Sequence, residues 1–190
     1  MNRKIIIIEG YLASGKSTFA RLLSKEINVP YLIKDTFKIA LCASVSVNDL
    51  EESSRFSAVT FDAMMYVAER LIETGYPVII EGNFVPVGVK KTDEAGVIKT
   101  LINKYDCRSL IYKFTGDTRV LHKRYIERDK LPERGQVNAM LGEIPFTDFD
   151  RFCRNLDGFD VGGEVIKIDT TDFKKVNFKH YIETARLFIK

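Results

Sequence analysis

The chain has 190 residues, of which 45% are hydrophobic and 29% are charged, and its formal net charge is +3 at pH 7. This length predicts a single domain, 1–190, that can bury a sizeable core. No apolar run reaches the roughly 18 residues that a membrane-spanning helix needs, and so small a net charge does not by itself indicate a nucleic-acid-binding face.

The N-terminal segment and the cysteines of the chain bear on the expected compartment. The apolar stretch near the N-terminus is too short for a signal peptide, so we expect a cytoplasmic protein. Cys42, Cys107 and Cys153 are far apart in the chain, which favours reduced thiols over a disulfide or metal framework.

A strand, a loop and a helix begin the chain. Residues 5–8 are four isoleucines, typical of a buried strand, and residues 16–27 have the apolar spacing of a helix. Between them, Gly10 to Ser17 fits the pattern G-x-x-x-x-G-K-[ST] at every fixed position. In such a loop, backbone N–H groups surround a polyphosphate, the lysine reaches the β- and γ-phosphates, and the hydroxyl is a Mg²⁺ ligand. The candidate nucleotide-binding residues are Gly10, Tyr11, Leu12, Ala13, Ser14, Gly15, Lys16, Ser17 and Thr18.

Strands and helices alternate along the rest of the chain. Further strands are predicted at 29–33, 78–80, 109–114 and 165–168. Helices are predicted at 37–43, 53–74, 93–105, 117–128, 148–156 and 177–189, and exposed loops at 44–52, 85–91 and 130–145. Apolar strands that alternate with helices favour a parallel α/β sheet that is covered on both faces and binds ligands at the carboxyl ends of its strands.

Polar side chains follow two of the predicted strands. Asp35 comes after the second strand, where a carboxylate could accept the proton of a hydroxyl that attacks the γ-phosphate, cap the helix beginning near Thr36, or do both. Glu81 ends the third strand and is a candidate for holding Mg²⁺ together with Ser17, although a solvated glutamate would also fit there. The candidate substrate-binding residues are Asp35, Glu81 and Asn83.

Arginines occur on the apolar side of the predicted helix 117–128. Arg124 and Arg128 fall on this inward face, where a guanidinium needs an anionic partner, and the γ-phosphate at the sheet edge would supply one. Arg134 follows in the next loop and is expected to close over the phosphates within a lid of roughly 124–146. For all three arginines, a structural ion pair with a nearby carboxylate is the alternative.

Motifs along nearly the whole chain occur in the order found in one group of phosphate-loop proteins. They are Ile-Ile-Ile-Glu ahead of the loop, Lys-Asp-Thr-Phe at 34–37, Val-Ile-Ile-Glu-Gly-Asn-Phe at 78–84, the arginines within 124–134, and Ile-Asp-Thr-Thr at 168–171. In this combination the chain resembles the P-loop small-molecule kinases related to zeta toxin and chloramphenicol phosphotransferase. That group also contains polynucleotide 5′-hydroxyl kinase domains.

The resemblance implies a fold, an activity and roles for particular residues. The fold is a three-layer P-loop NTPase with strand order 2-3-1-4-5 and a small lid, and the activity is transfer of the γ-phosphate of ATP to a small-molecule hydroxyl with Mg²⁺. Asp35 would be the base, and Arg124, Arg128 and Arg134 would be lid arginines. The residues implied near the adenine are Asp169, Thr170 and Thr171.

Two other functions fit the same loop. A polynucleotide 5′-hydroxyl kinase would need a basic channel with aromatic residues on which bases stack. An ATP-binding regulatory protein would use the nucleotide to set a conformation, without phosphotransfer.

Overall fold

A computed structural model describes residues 3–43, 45, 50–85, 93–129 and 144–190. Within these ranges five parallel strands form one sheet in the order β2-β3-β1-β4-β5. The strands are β1 (Lys4–Gly10), β2 (Tyr31–Ile33), β3 (Val78–Glu81), β4 (Arg108–Thr115) and β5 (Glu164–Asp169). The helices are α1 (Lys16–Ile27), α2 (Lys34–Cys42), α3 (Leu50–Glu73), α4 (Glu94–Lys104), α5 (Thr118–Asp129), α6 (Phe146–Asn155) and α7 (Phe178–Ile189).

This arrangement confirms the predicted α/β class and the strand order. β1 is the central strand, and all its residues are buried because neighbouring strands and both helical layers cover it. An isoleucine run suits that position, since alternate side chains of a strand point to opposite faces and both faces here are apolar.

Two helical layers cover the sheet. Ile5 and Ile7 point to the face covered by α3 and α4, whereas Ile6 and Ile8 point to the face covered by α1 and α7. A third, smaller cluster consists of residues of α5 and α6 packed against the loop that follows β1. Its buried members are Leu121, Tyr125, Phe149 and Cys153.

Two helices begin nearly a full turn earlier than predicted. α2 begins at Lys34, directly after β2 ends at Ile33, where the sequence predicts a start at residue 37. α3 begins at Leu50, inside the segment predicted as a loop, and carries Glu51 and Glu52 in its first turn. Acidic side chains there interact favourably with the helix dipole, which explains the earlier start.

Several predictions concern residues 44, 46–49, 86–92 and 130–143, which lie outside the described residues. They include Arg134 and most of the predicted lid. The three cysteines are free and buried. Across the described part of the chain, no helix is both long enough and apolar enough to cross a membrane.

Candidate active site

The phosphate-loop motif lies where β1 passes into α1, at the carboxyl edge of the sheet. Gly10 has φ of 122° and Gly15 has φ of 91°, conformations that favour glycine, and Ala13 also has a positive φ of 55°. A Cβ on Gly10 would lie 2.1 Å from the carbonyl oxygen of Phe114 on β4. The loop therefore needs glycine at this position both for its backbone conformation and for its close contact with the neighbouring strand.

Lys16 is the first residue of α1, and its side chain is buried. Its ammonium donates a hydrogen bond of 2.6 Å to the backbone carbonyl of Tyr11, within the same loop. Burial lowers the pKa of Lys16, and the nearby carboxylates of Glu81 and Asp35 act in the opposite direction. The cation is thus held at the centre of the loop, close to acidic side chains.

The next residue of the helix, Ser17, contacts the end of β3. Its hydroxyl donates a hydrogen bond of 2.9 Å to Oε2 of Glu81, which is only 4% exposed. A hydroxyl and a carboxylate side by side supply hard oxygen ligands. Mg²⁺ binds ligands of this type together with phosphate oxygens. The chemistry of these two residues therefore fits the Mg²⁺ expected from the sequence. In the described ranges, no cluster of three or more histidine, cysteine, aspartate or glutamate side chains could hold a metal ion by itself.

A cavity of about 100 Å³ opens above the loop and brings together residues from separate parts of the chain. Asp35 from α2, Glu81 and Asn83 from the end of β3, and Arg128 from α5 line it together with 12–18 of the loop. Oδ1 of Asn83 is buried and has no hydrogen-bond partner among the described residues. The cavity therefore combines a phosphate loop with carboxylate, guanidinium and amide side chains.

Asp35 lies in the first turn of α2 and not at its cap. The cap position is Ile33, which makes no side-chain capping bond, so the structure does not support the alternative capping role for Asp35. The residue is exposed and lines the cavity. Its carboxylate is thus accessible to a molecule that enters above the loop.

Arg124 contacts a different part of the site from the one expected. Its guanidinium donates hydrogen bonds of 2.6 and 2.8 Å to the backbone carbonyls of Thr170 and Thr171, and lies 5.3 Å from the ring centroid of Phe173. The inward orientation predicted from the helical spacing is correct. Its partners, however, are carbonyls in the segment expected near the adenine.

The segment after β5 forms an ordered turn beside the loop. Oδ1 of Asp169 accepts a hydrogen bond of 2.8 Å from the backbone N–H of Thr171. A hydrogen bond from the Thr171 hydroxyl, together with this backbone bond, lowers the pKa of Asp169. A Cβ on Gly15 would lie 2.1 Å from the ring of Phe173, so this turn packs directly on the phosphate loop. The two segments predicted to bind one nucleotide are therefore adjacent in space.

Sequence reasoning missed a buried carboxylate directly before the loop. Glu9 is fully buried, and neither of its carboxylate oxygens has a hydrogen-bond partner within the described ranges. The ammonium of Lys113, its cross-strand neighbour on β4, is 3.7 Å from Oε1 and donates to the carbonyl of Asp157 at 2.8 Å. Burial raises the pKa of Glu9 to about 7, and the charges of Lys113 and Lys16 oppose that shift.

We expect Glu9→Gln to change how stability depends on pH. Because the folded-state pKa of Glu9 is about 7 against an ordinary value of 4.5, its carboxyl favours the folded state below pH 4.5, and this contribution is lost as pH rises through 7. Relative to the wild type, the variant should gain about 3 kcal/mol in free energy of unfolding between pH 4.5 and 8. Urea unfolding at several pH values measures the difference, with the exposed Glu127→Gln as control. A constant difference across this range would contradict the assignment.

Comparison with known proteins identifies the fold. No protein-family model matches the chain, and no curated protein matches its sequence. Among solved structures, a provisionally assigned kinase from Chloroflexus aurantiacus J-10-fl has a TM-score of 0.85 at 20% identity, with 100% of both chains covered.

Two further structures have the same architecture. The APS kinase of Mycobacterium tuberculosis, solved in complex with AMPPNP and APS, has a TM-score of 0.58 at 15% identity, with 97% of this chain and 96% of that chain covered. Shikimate kinase from Bacteroides thetaiotaomicron has a TM-score of 0.57 at 13% identity, with 98% of each chain covered. At these identities the likeness establishes architecture, and the chain has the five-stranded fold of the P-loop kinases.

Proposed function

We propose that this protein is an ATP- and Mg²⁺-dependent kinase that transfers the γ-phosphate of ATP to a hydroxyl of a small molecule. The observation that carries the proposal is the cavity in which the phosphate loop, Asp35 and Arg128 meet. A regulatory nucleotide site needs the loop but does not need a carboxylate beside it. The kinases among its structural neighbours and the resemblance to the zeta toxin and chloramphenicol phosphotransferase group support the same conclusion.

In this mechanism the cavity residues act on two reacting groups. The Asp35 carboxylate accepts the proton of the acceptor hydroxyl while that oxygen forms a bond to the γ-phosphorus, and the bond from that phosphorus to the β–γ bridging oxygen breaks. Lys16 leaves the carbonyl of Tyr11 to contact the phosphates, and Arg128 and the loop N–H groups stabilise the charge on the transferring group. In the proposal Arg134 would add a further guanidinium.

The remaining residues bind the nucleotide and the metal. Ser17 and Glu81 would hold Mg²⁺, which supplies positive charge to the β- and γ-phosphates. We assign Asp169, Thr170 and Thr171 to the side of the adenine, where Arg124 orders their backbone through its two hydrogen bonds. Asn83 lines the cavity, its buried side-chain oxygen has no hydrogen-bond partner among the described residues, and we assign this residue to the acceptor.

The test is phosphate transfer from γ-labelled ATP to a panel of sugars, nucleosides, antibiotics and 5′-hydroxyl oligonucleotides. The proposal predicts a labelled small-molecule product that requires Mg²⁺. Label on the oligonucleotides alone, with steep salt dependence of oligonucleotide binding, would instead identify a polynucleotide kinase. Tight ATP binding without transfer to any acceptor would favour the regulatory function.

A further inference from the structure

We propose that the buried ion pair between Lys34 and Glu94 is a positioning device that holds Asp35 and Asn83 in the active site, an inference that rests on the function proposed above. Lys34 is 6% exposed and Glu94 is 2% exposed. Their charged groups contact each other across 60 positions of the chain. Neither residue lines the cavity, but Lys34 directly precedes Asp35, which does.

Glu94 connects three segments through its carboxylate. Oε1 contacts the ammonium of Lys34, and Oε2 accepts a hydrogen bond of 3.0 Å from the backbone N–H of Val85. Lys34 directly precedes Asp35, Val85 is two residues after Asn83, and Glu94 is the first residue of α4. One carboxylate therefore fixes the two chain segments that supply Asp35 and Asn83.

The surroundings of Lys34 leave it little freedom to move. Its ammonium lies 5.6 Å from the ring centroid of Phe61 on α3. A Cβ on Gly82 would lie 3.3 Å from Cβ of Lys34 and 2.8 Å from the ring of Phe84, so the end of β3 packs directly on the start of α2. Because β2 passes into α2 without a loop, the position of Lys34 also sets the position of Asp35.

Stability alone is a weak reason for such a pair. Charges lose hydration on burial, and apolar residues of similar volume often stabilise a fold equally well. Charge-assisted hydrogen bonds, however, fix direction and distance, which apolar contacts do not. A general base needs that accuracy, since it must lie within hydrogen-bonding reach of the acceptor hydroxyl and a misplacement of about 1 Å can cost about 100-fold in rate.

The test is the double variant Lys34→Met/Glu94→Gln. It removes both charges, so no unpaired charge is buried, and the glutamine can still accept a hydrogen bond from Val85 N–H. We expect a folded protein whose kcat falls at least about 10-fold, while KM for ATP changes less than about twofold because the phosphate loop is untouched. The matched control is Lys104→Met/Glu69→Gln, which removes a partly exposed ion pair that links α4 to α3.

The results separate positioning from a merely structural role. A wild-type kcat in the folded double variant would overturn the proposal, as would an equal loss of kcat in the control pair. If the double variant does not fold, Glu94→Asp replaces it. Its carboxylate is one methylene shorter and cannot keep both contacts, so kcat should again fall with KM for ATP unchanged, and an unchanged kcat would refute positioning.

Hydrogen exchange distinguishes failure of this proposal from failure of the proposed function. If the wild type transfers no phosphate to any acceptor, the proposed function fails. Positioning is then judged from the amides of 38–40 in α2, which have intrahelical hydrogen bonds and should exchange at least about 10-fold faster in the double variant than in the wild type, while those of β1 stay protected. Unchanged protection at 38–40 would overturn the positioning role.

Discussion

Lys16→Met is expected to reduce phosphate transfer at least about 1,000-fold, because it removes the cation at the centre of the loop. The wild-type ammonium is buried and pairs with the carbonyl of Tyr11, so an unbranched apolar side chain can take its place without a buried charge. We therefore expect the variant to fold with a melting temperature close to that of the wild type. Affinity for ATP, measured by calorimetry, should fall together with turnover.

The control for Lys16→Met comes from the same helix. Lys25 lies in the last turn of α1 and is exposed, so Lys25→Met changes the net charge equally without altering the loop. It should retain full transfer. Near-normal transfer by Lys16→Met would show that the reaction occurs elsewhere in the molecule.

Asp35→Asn is expected to lower kcat by about 100-fold to 10,000-fold, the range typical of a lost general base. The amide has nearly the same size as the carboxylate but cannot take up the proton of the acceptor. Because Asp35 lies across the cavity on α2, affinity for ATP should stay within about threefold of the wild type. Single-turnover transfer and nucleotide binding, measured on the same preparation, separate the two effects.

Asp62→Asn is the matched control for the loss of one carboxylate. Asp62 is an exposed residue of α3 outside the cavity that contains the loop, so this change should be silent. Asp35→Asn with wild-type kcat would refute Asp35 as the base. Equal losses of ATP affinity and kcat would instead make Asp35 a residue for nucleotide binding.

The local parts of the site could be predicted from sequence. The phosphate loop is one continuous motif between a strand and a helix, so its position followed from residues close together in the chain. Asp35 and Glu81 were predicted at the same edge because parallel strands bring their carboxyl ends together. The structure confirms that shared edge by placing both side chains around one cavity.

Contacts between distant residues were beyond prediction. In the sequence, Glu94 is an ordinary acidic residue at the start of a predicted helix. None of the residues near it in the chain identifies Lys34 as its partner. The burial of Glu9 could have been predicted, because a glutamate that directly follows four isoleucines in a central strand has little access to solvent. Finding its neighbour Lys113 required the pairing register of β1 and β4.

Arg124 shows the limit of helical periodicity. The spacing of apolar residues correctly indicates which side of α5 faces inward. It does not determine which inward groups are within reach, because that depends on how the helix packs against the turn after β5. The guanidinium consequently contacts the carbonyls of Thr170 and Thr171.

The most direct test of the central claim is to follow the γ-phosphoryl group itself. The wild type and Lys16→Met would each be incubated with Mg²⁺, ATP carrying ¹⁸O in its γ-phosphate, and a phosphatase-treated small-molecule fraction of a cell extract. We predict that mass spectrometry finds the heavy oxygens in an organic phosphate ester that forms with the wild type only. Heavy label in inorganic phosphate alone, or ATP bound and recovered intact, would contradict the assignment of this protein as a kinase.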